Sequence, residues 1–377
     1  MSRLCTLSLA LALLASTASA ADKAPTPKPT VDVVLCLDVS SSMNGLIDSA
    51  KLKLWDIVNE LGKAKPTPDL RVGLYSYGHS TYSAQNGWVR KEADLTTDLD
   101  TVYKKLNALT INGGEEYVAR VTRDAVVEQK WSTDKKALKL IFVAGNEPAT
   151  QDPTVTLPQV AKLAIEKDII VNTIYCGSAA SAEARGWSDF AKSAEGRYVS
   201  IDQNRAVATV VNTPHDAKLS QLSGELNKTY VSYGRADVRK DKAENQKAQD
   251  ANATRSSPSA GASRATSKAG GLYRNADWDL VDRITDDPKF DITKVPEDQL
   301  CDELKKLKPA ERVKYVQDQL NKRRSIQKEI GELSQKRTEF IQAEMKKNAG
   351  KGEKALDEAI RETIRNQANT KGINIPD

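Results

Sequence analysis

Residues 31–42 read Val-Asp-Val-Val-Leu-Cys-Leu-Asp-Val-Ser-Ser-Ser, an apolar run that ends abruptly in polar residues. The run is rich in β-branched residues, and in the next segment, residues 46–61, apolar residues recur at helical spacing. A strand buried on both faces, followed by a loop and a helix, is the first unit of a parallel α/β sheet. Such sheets bind ligands beyond the carboxyl ends of their strands, so we expect a site where this strand ends.

Three polar side chains, those of Asp38, Ser40 and Ser42, alternate along the predicted loop. Alternate residues of a tight loop can direct their side chains to one point, so one carboxylate and two hydroxyls would share a centre. Oxygen ligands of this kind suit Mg²⁺ or a similar hard cation. The same residues would also form an ordinary N-cap loop, because Asp and Ser are common at helix starts.

An apolar strand that runs into Asp-x-Ser-x-Ser resembles the von Willebrand factor type A (VWA) domain, whose metal-ion-dependent adhesion site (MIDAS) opens with this motif. The resemblance covers residues 30–211, about half the chain. It implies a doubly wound, Rossmann-like and mostly parallel sheet of about six strands with helices on both faces. It also implies a divalent metal, Mg²⁺ or else Mn²⁺ or Ca²⁺, on Asp38, Ser40 and Ser42, and a protein partner that supplies an acidic side chain.

The sequence departs from the MIDAS pattern at two places. The family has a threonine after a Gly-Gly loop, whereas residues 113–115 read Gly-Gly-Glu; the usual Thr-Asp-Gly at a later strand end is replaced by Ala-Gly-Asn at residues 144–146. Glu115 would add a negative charge that offsets the lost aspartate, and it could bind the metal directly or through water. Asn146 or Glu147 could supply an oxygen from a different backbone position.

The first 20 residues have the pattern of a secretory signal peptide. Arg3 precedes an apolar core at residues 4–14, and Ala-Ser-Ala at residues 18–20 is a small-residue cleavage site. Residues 21–29 carry alternating prolines and predict an extended tether. No later segment approaches the length of apolar sequence that spans a membrane, so we predict an exported protein, periplasmic or secreted, without a membrane span.

Composition limits the classes of function. The formal net charge is +5, but Lys and Arg are interleaved with Asp and Glu, which does not indicate a nucleic-acid surface. The sequence has no Gly-rich phosphate loop, no Gly-x-Ser-x-Gly motif and only two histidines, so we do not predict an enzyme. Cys36 and Cys176 fall on predicted strands that are too far apart for a disulfide, and we expect both to be buried free thiols.

The character of the sequence changes beyond residue 211. We interpret residues 212–271 as a helical extension followed by a linker or loosely docked strap, because residues 252–271 are dominated by Ser, Ala, Gly, Arg and Thr. Residues 272–377 predict a helical region. Its longest helix, which starts near Pro309, has a narrow apolar stripe that needs a partner, and a helical hairpin with the last helix is the simplest arrangement. A coiled-coil dimer is the alternative.

The predicted function is therefore that of an exported, non-enzymatic VWA protein that binds a protein partner through a divalent metal. An alternative keeps the fold and drops the metal: the two departures would make the MIDAS vestigial, and the protein would bind by surface shape, with the C-terminal helices as a scaffold. A metal-dependent hydrolase is disfavoured, because nothing in the sequence indicates a substrate pocket.

Overall fold

The computed structural model describes residues 28–201, 211–347 and 356–376. The predicted signal peptide and all but the last two residues of the predicted tether lie outside these ranges. Among the helices of the described residues, none combines the length and the apolarity needed to cross a membrane.

One sheet organises residues 28–201. Its strands are β1 (Thr30–Asp38), β2 (Asp69–Tyr77), β3 (Val89–Thr96), β4 (Leu138–Gly145), β5 (Ile170–Tyr175) and β6 (Tyr198–Ser200). They follow the order β3-β2-β1-β4-β5-β6, and every neighbouring pair is parallel except β2 and β3. The predicted doubly wound, mostly parallel sheet is confirmed.

Helices cover both faces of this sheet, as the unbroken apolar run in β1 predicts. The helices are α1 (Asn44–Gly62), α2 (Leu99–Asn107), α3 (Val118–Glu128), α4 (Leu157–Glu166) and α5 (Ala184–Ser193). Successive side chains of a strand point to opposite faces, so Val33 and Leu35 pack in one layer with α1 and α2, while Val34 and Cys36 pack in the other with α3, α4 and α5. Cys36 and Cys176 are buried and free, as predicted.

The described residues after 211 are mainly helical. Their helices are α6 (Asp216–Asn227), α7 (Ala236–Ser256), α8 (Pro258–Ala269), α9 (Leu280–Asp286), α10 (Asp302–Lys305), α11 (Pro309–Lys347) and α12 (Leu356–Thr370). The apolar stripe of α11 packs against α6, α8 and α9 of the same chain, which supplies the partner that the stripe requires.

The prediction that residues 252–271 contain a linker or loose strap was wrong. The segment is built from the end of α7 and from α8, and α8 is buried between α1, α6, α7 and α11. Its small residues bring helices close together, and Asn59 of α1 pairs with two of its polar groups: Asn59 Nδ2 donates to the carbonyl of Ser263 (2.9 Å), and Ser267 Oγ donates to Asn59 Oδ1 (2.6 Å). A composition poor in large apolar residues here marks close packing rather than a lack of packing.

The predicted hairpin of the last two helices is also replaced by another arrangement. α12 packs on α1, where Ile360 and Ile364 join the same hydrophobic layer as the sheet. Arg365 forms an ion pair with Glu60 of α1, and the side-chain amide of Gln367 exchanges hydrogen bonds with that of Asn172 in β5 (3.0 and 2.7 Å). The C-terminal helix is thus part of the sheet domain's packing.

Replacing Ala262 by leucine tests the packing of α8. Ala262 is fully buried among Leu219, Ile330 and their neighbours, so the larger side chain has no space, and we expect the free energy of unfolding to fall by about 1–3 kcal/mol. Urea denaturation followed by circular dichroism measures the change. Ala251→Leu, on the exposed side of α7, is the matched control and should change stability by less than about 0.5 kcal/mol. An effect of Ala262→Leu as small as this would contradict a tightly packed α8.

Candidate functional site

The structure brings the three predicted loop side chains together at the carboxyl end of β1. Asp38 is fully buried, and its Oδ1 accepts a hydrogen bond from the backbone N–H of Ser40 at 2.7 Å. Ser40 Oγ lies 3.2 Å from Ser42 Oγ. This local turn directs one carboxylate and two hydroxyls to a common point, because the backbone of Ser40 is held by the side chain two residues before it.

The second carboxylate oxygen of Asp38 is without a hydrogen-bond partner in the part of the chain that the structure describes. Asp38 Oδ2 is buried and has no hydrogen bond from any described residue. A buried polar atom is normally paired, and leaving an ionised oxygen unpaired in a protein interior is costly. The unpaired oxygen therefore points to something that binds at this position.

Glu116 is the site residue that the sequence prediction missed. Both Glu116 and Asp38 approach Gly78, which has a positive φ of 82°: a Cβ on Gly78 would lie 3.0 Å from Asp38 Oδ1 and 3.1 Å from Glu116 Cγ. Glu116 is half-buried, and the neighbouring Ser40 side chain opposes the rise in its pKa. Glu115, the predicted residue, is exposed. The signal in the sequence was the pair of adjacent glutamates, of which only one can face the strand ends.

Burial and neighbouring carboxylates raise the pKa values of the site. The pKa of Asp38 is raised to about 7, mainly by burial and further by the charges of Glu116 and Glu147, against the opposing hydrogen bonds from Ser40. The pKa of Glu116 is also raised to about 7, first by burial and then by Glu147 and Glu115. Carboxylates that repel one another in this way are stabilised by a shared cation.

Two further predicted residues lie beside this centre. Ser42 Oγ is 2.9 Å from Asn146 Nδ2 and 3.1 Å from Asn146 Oδ1, so Asn146 closes the site from the end of β4. Glu147 is held by its backbone, whose carbonyl accepts a hydrogen bond from Trp187 Nε1 at 2.8 Å. Within the part of the chain that the structure describes, no three His, Cys, Asp or Glu side chains are arranged as a metal site. The donor set at Asp38 instead combines carboxylate and hydroxyl oxygens.

Comparison with known proteins identifies the domain that carries this site. Residues 32–213 match the family model of the von Willebrand factor type A domain. The chain contains a VWA domain. A search of curated proteins finds no significant match to the chain.

Solved structures similar to this chain have low sequence identity to it. They include proximal thread matrix protein 1 from the mussel byssus (14% identity, TM-score 0.37, 47% of this chain and 43% of that one). The SpRpn10 VWA domain is also similar (18% identity, TM-score 0.36, 46% of this chain and 89% of that one). A von Willebrand factor type A protein from Catenulispora acidiphila is a third (16% identity, TM-score 0.37, 48% of this chain and 41% of that one). The match spans less than half the length of the mussel and Catenulispora proteins.

The structure gives a physical reason for one departure of this VWA domain from the MIDAS pattern. Gly145 stands where the pattern has its last aspartate. A Cβ on Gly145 would lie 2.5 Å from the hydroxyl oxygen of Tyr77 and 3.1 Å from Asp38 Oδ2. Since Tyr77 is fully buried and donates to the carbonyl of Ala144 at 2.9 Å, it has little freedom to move. Glycine is therefore the residue that fits here, and any second carboxylate must come from elsewhere.

Proposed function

We propose that the VWA domain binds a divalent cation, Mg²⁺, Mn²⁺ or Ca²⁺, at Asp38, Ser40 and Ser42, and through it an acidic side chain of a protein partner. The observation that carries the proposal is the buried Oδ2 of Asp38, which no described residue hydrogen-bonds and which lies beside two convergent hydroxyls. Carboxylate and hydroxyl oxygens are the ligands that these hard cations prefer. The role proposed is binding, without catalysis.

Each residue has a distinct part in this proposal. Asp38 supplies the buried negative charge, and Ser40 and Ser42 supply neutral oxygens. Glu116 supplies the second carboxylate that Gly145 excludes from the end of β4. A bound cation would neutralise these charges and offer an open position to a carboxylate. Export to the periplasm or outside the cell stays a prediction from residues 1–20.

A metal-free VWA domain is the second candidate. The hydrogen bonds that join Ser40, Ser42 and Asn146 favour it, because they satisfy both hydroxyls without an ion. In that case the protein would bind its partner by surface shape, supported by the C-terminal helices. The two candidates differ in whether a cation stabilises the fold.

Unfolding with and without metal tests the proposal. At a cation concentration 100 times its Kd, the bound ion should add about 2.7 kcal/mol to the free energy of unfolding relative to EDTA. Urea denaturation of the full chain in 10 mM Mg²⁺, Mn²⁺ or Ca²⁺ measures this gain. Asp38→Asn should abolish it, whereas Asp48→Asn, an exposed change on α1, should retain it. A chain that none of the three cations stabilises would be a metal-free VWA domain.

A further inference from the structure

A cavity of about 330 Å³ opens between α4 and α5. Its lining is apolar at Val155, Leu157 and Phe190, and hydroxyl groups come from Thr150 and neighbouring residues. Residues 150–158 of its lining follow the carboxyl end of β4, which carries Gly145 and, next to it, Asn146 of the carboxylate site. An apolar cavity of roughly 150 Å³ already accommodates benzene, which leaves ample space here for a large side chain.

The wall of this cavity is fixed by a buried ion pair. Asp152, which lines the cavity, accepts two hydrogen bonds from the guanidinium of Arg120 on α3, each 2.9 Å long. Asp152 Oδ1 also accepts from the backbone N–H groups of Thr154 (2.9 Å) and Val155 (3.0 Å). A bidentate charged pair of this kind holds the loop in one shape, so the cavity is formed before any ligand arrives.

Trp187 of α5 packs at the carboxylate site. It follows Gly186, a residue of the cavity lining, and its indole is fully buried. A Cβ on Gly145 would lie 3.1 Å both from the Trp187 ring and from Asp38 Oδ2. Trp187 also donates to the carbonyl of Glu147. The loop of residues 146–156 therefore contributes to both sites, and α5 carries a lining residue of the cavity next to a residue that packs at the carboxylate site.

Packing around Gly186 does not require a glycine at this position. It lies inside α5, where glycine is less favourable than alanine. The nearest atoms to a Cβ at this position would be Ala149 Cβ at 3.8 Å and Thr150 Cγ2 at 3.9 Å, which is ordinary contact. A small side chain would thus fit without a clash. What glycine preserves is the volume of the cavity.

We propose that this cavity receives a bulky aliphatic or aromatic side chain of the partner whose acidic side chain binds the cation. The inference rests on the proposed function and narrows the partner to a protein segment that carries an acidic residue and a bulky apolar residue at a fixed spacing. A few bulky side chains that fill pockets on the partner carry most of the binding energy of a typical interface. The cation binds the acidic side chain of the partner, and the cavity binds the partner's bulky apolar side chain.

Selection of peptides on the full-length protein tests this inference. Random displayed peptides of 12 residues are selected in Mg²⁺ or Mn²⁺ and eluted with EDTA. We expect metal-dependent peptides with an acidic residue and a bulky apolar residue at constant spacing. Replacing that apolar residue by alanine should weaken binding to the unmodified protein at least tenfold, as measured by fluorescence anisotropy.

The variant Gly186→Leu fills the cavity, and it tests on the protein the same contact that the alanine peptide tests on the ligand. It should bind the selected peptides at least tenfold more weakly, keep the metal-dependent gain in stability, and no longer distinguish a peptide from its alanine version. Gly331→Leu, an exposed helical glycine of α11 with open space around it, should bind like the unmodified protein. Thr150→Trp blocks the cavity from an exposed position, and should reproduce the loss if Gly186→Leu folds poorly.

The outcomes separate this inference from the proposed function. Metal-dependent peptides that lack an apolar preference, or that bind Gly186→Leu and Thr150→Trp unchanged, would overturn the inference and leave the cation site standing. A protein that neither gains stability from cations nor selects any EDTA-sensitive peptide would overturn both.

Discussion

Replacing Arg264 by methionine should lower the free energy of unfolding by about 3–5 kcal/mol, because the change leaves the buried carboxylate of Asp100 without its cation. The Arg264 side chain is 1% exposed. Its guanidinium donates to Asp100 Oδ1 at 2.7 Å, to Asp250 Oδ1 and to the carbonyl of Gln246 at 3.1 Å. It also lies 4.7 Å from the ring centroid of Trp55.

This network joins the VWA domain to the C-terminal helices. Asp100 lies on α2 and Trp55 on α1, whereas Asp250 and Arg264 belong to α7 and α8. Asp250 keeps a second cation, because Lys268 Nζ donates to it at 2.8 Å. Among the described residues, Asp100 then keeps only the hydrogen bond from the hydroxyl of Tyr273. Most of the loss of stability should therefore come from Asp100 in the VWA domain. The VWA domain and the C-terminal helices should unfold in one transition.

Urea denaturation, followed in parallel by tryptophan fluorescence and circular dichroism, measures the loss and the number of transitions. Lys240→Met is the matched control, because Lys240 and Glu244 form an exposed pair at 3.9 Å, and its effect should be below about 0.5 kcal/mol. A loss for Arg264→Met no greater than this would show that the network contributes little. Two separate transitions, with the one of the VWA domain unchanged, would show that the two parts are not coupled.

Local periodicity and strand-end chemistry were sufficient to predict the sheet. β1 is buried on both faces, so its sequence is apolar at nearly every position, and the polar loop after it marks the strand end. The alternation of strands and helices then leaves few topologies, because parallel crossovers are right-handed. Asp38, Ser40 and Ser42 could be placed together since they belong to one short loop.

What could not be predicted depends on contacts between distant parts of the chain. Glu115 and Glu116 are adjacent, and which of them faces Asp38 is set by how the loop before α3 packs on Gly78. Residues 252–271 lack large apolar side chains, and their burial depends on α1 and α11, which are remote in sequence. In α12, the apolar face fits equally well on α11 or on α1, and sequence pattern alone does not distinguish the two.

Replacing Asp38 by asparagine should raise the free energy of unfolding when no metal is present, whereas Arg264→Met should lower it. In EDTA at pH 8, we expect the variant to be more stable than the unmodified protein by about 1–3 kcal/mol. The ordinary pKa of an aspartate is about 3.9, whereas that of Asp38 is raised to about 7 by burial and by Glu116 and Glu147. At about 1.4 kcal/mol per pKa unit, the buried charge costs up to ~4 kcal/mol. In the variant, the unpaired N–H group of the asparagine side chain reduces the gain in stability by about 1–3 kcal/mol.

The pH dependence of this difference in stability shows whether the charge of Asp38 causes it. Between about pH 4 and pH 7 the folded state holds a proton on Asp38 that the unfolded state has lost, so the stability of the unmodified protein falls as the pH rises through this window. The advantage of Asp38→Asn should therefore shrink at pH 5 and be largest above pH 7. Urea denaturation in EDTA at pH 5 and pH 8 measures both values, with Asp48→Asn as the exposed control.

A destabilised Asp38→Asn protein at pH 8 would mean that Asp38 is a structural residue, already satisfied by the hydrogen bond from Ser40. A stabilised one would mean that the fold holds a charge which it does not itself neutralise. Strongly raised pKa values in a cluster of carboxylates are typical of sites prepared for a ligand, because no structural gain compensates for them. The same substitution that removes binding would then increase the stability of the metal-free VWA domain.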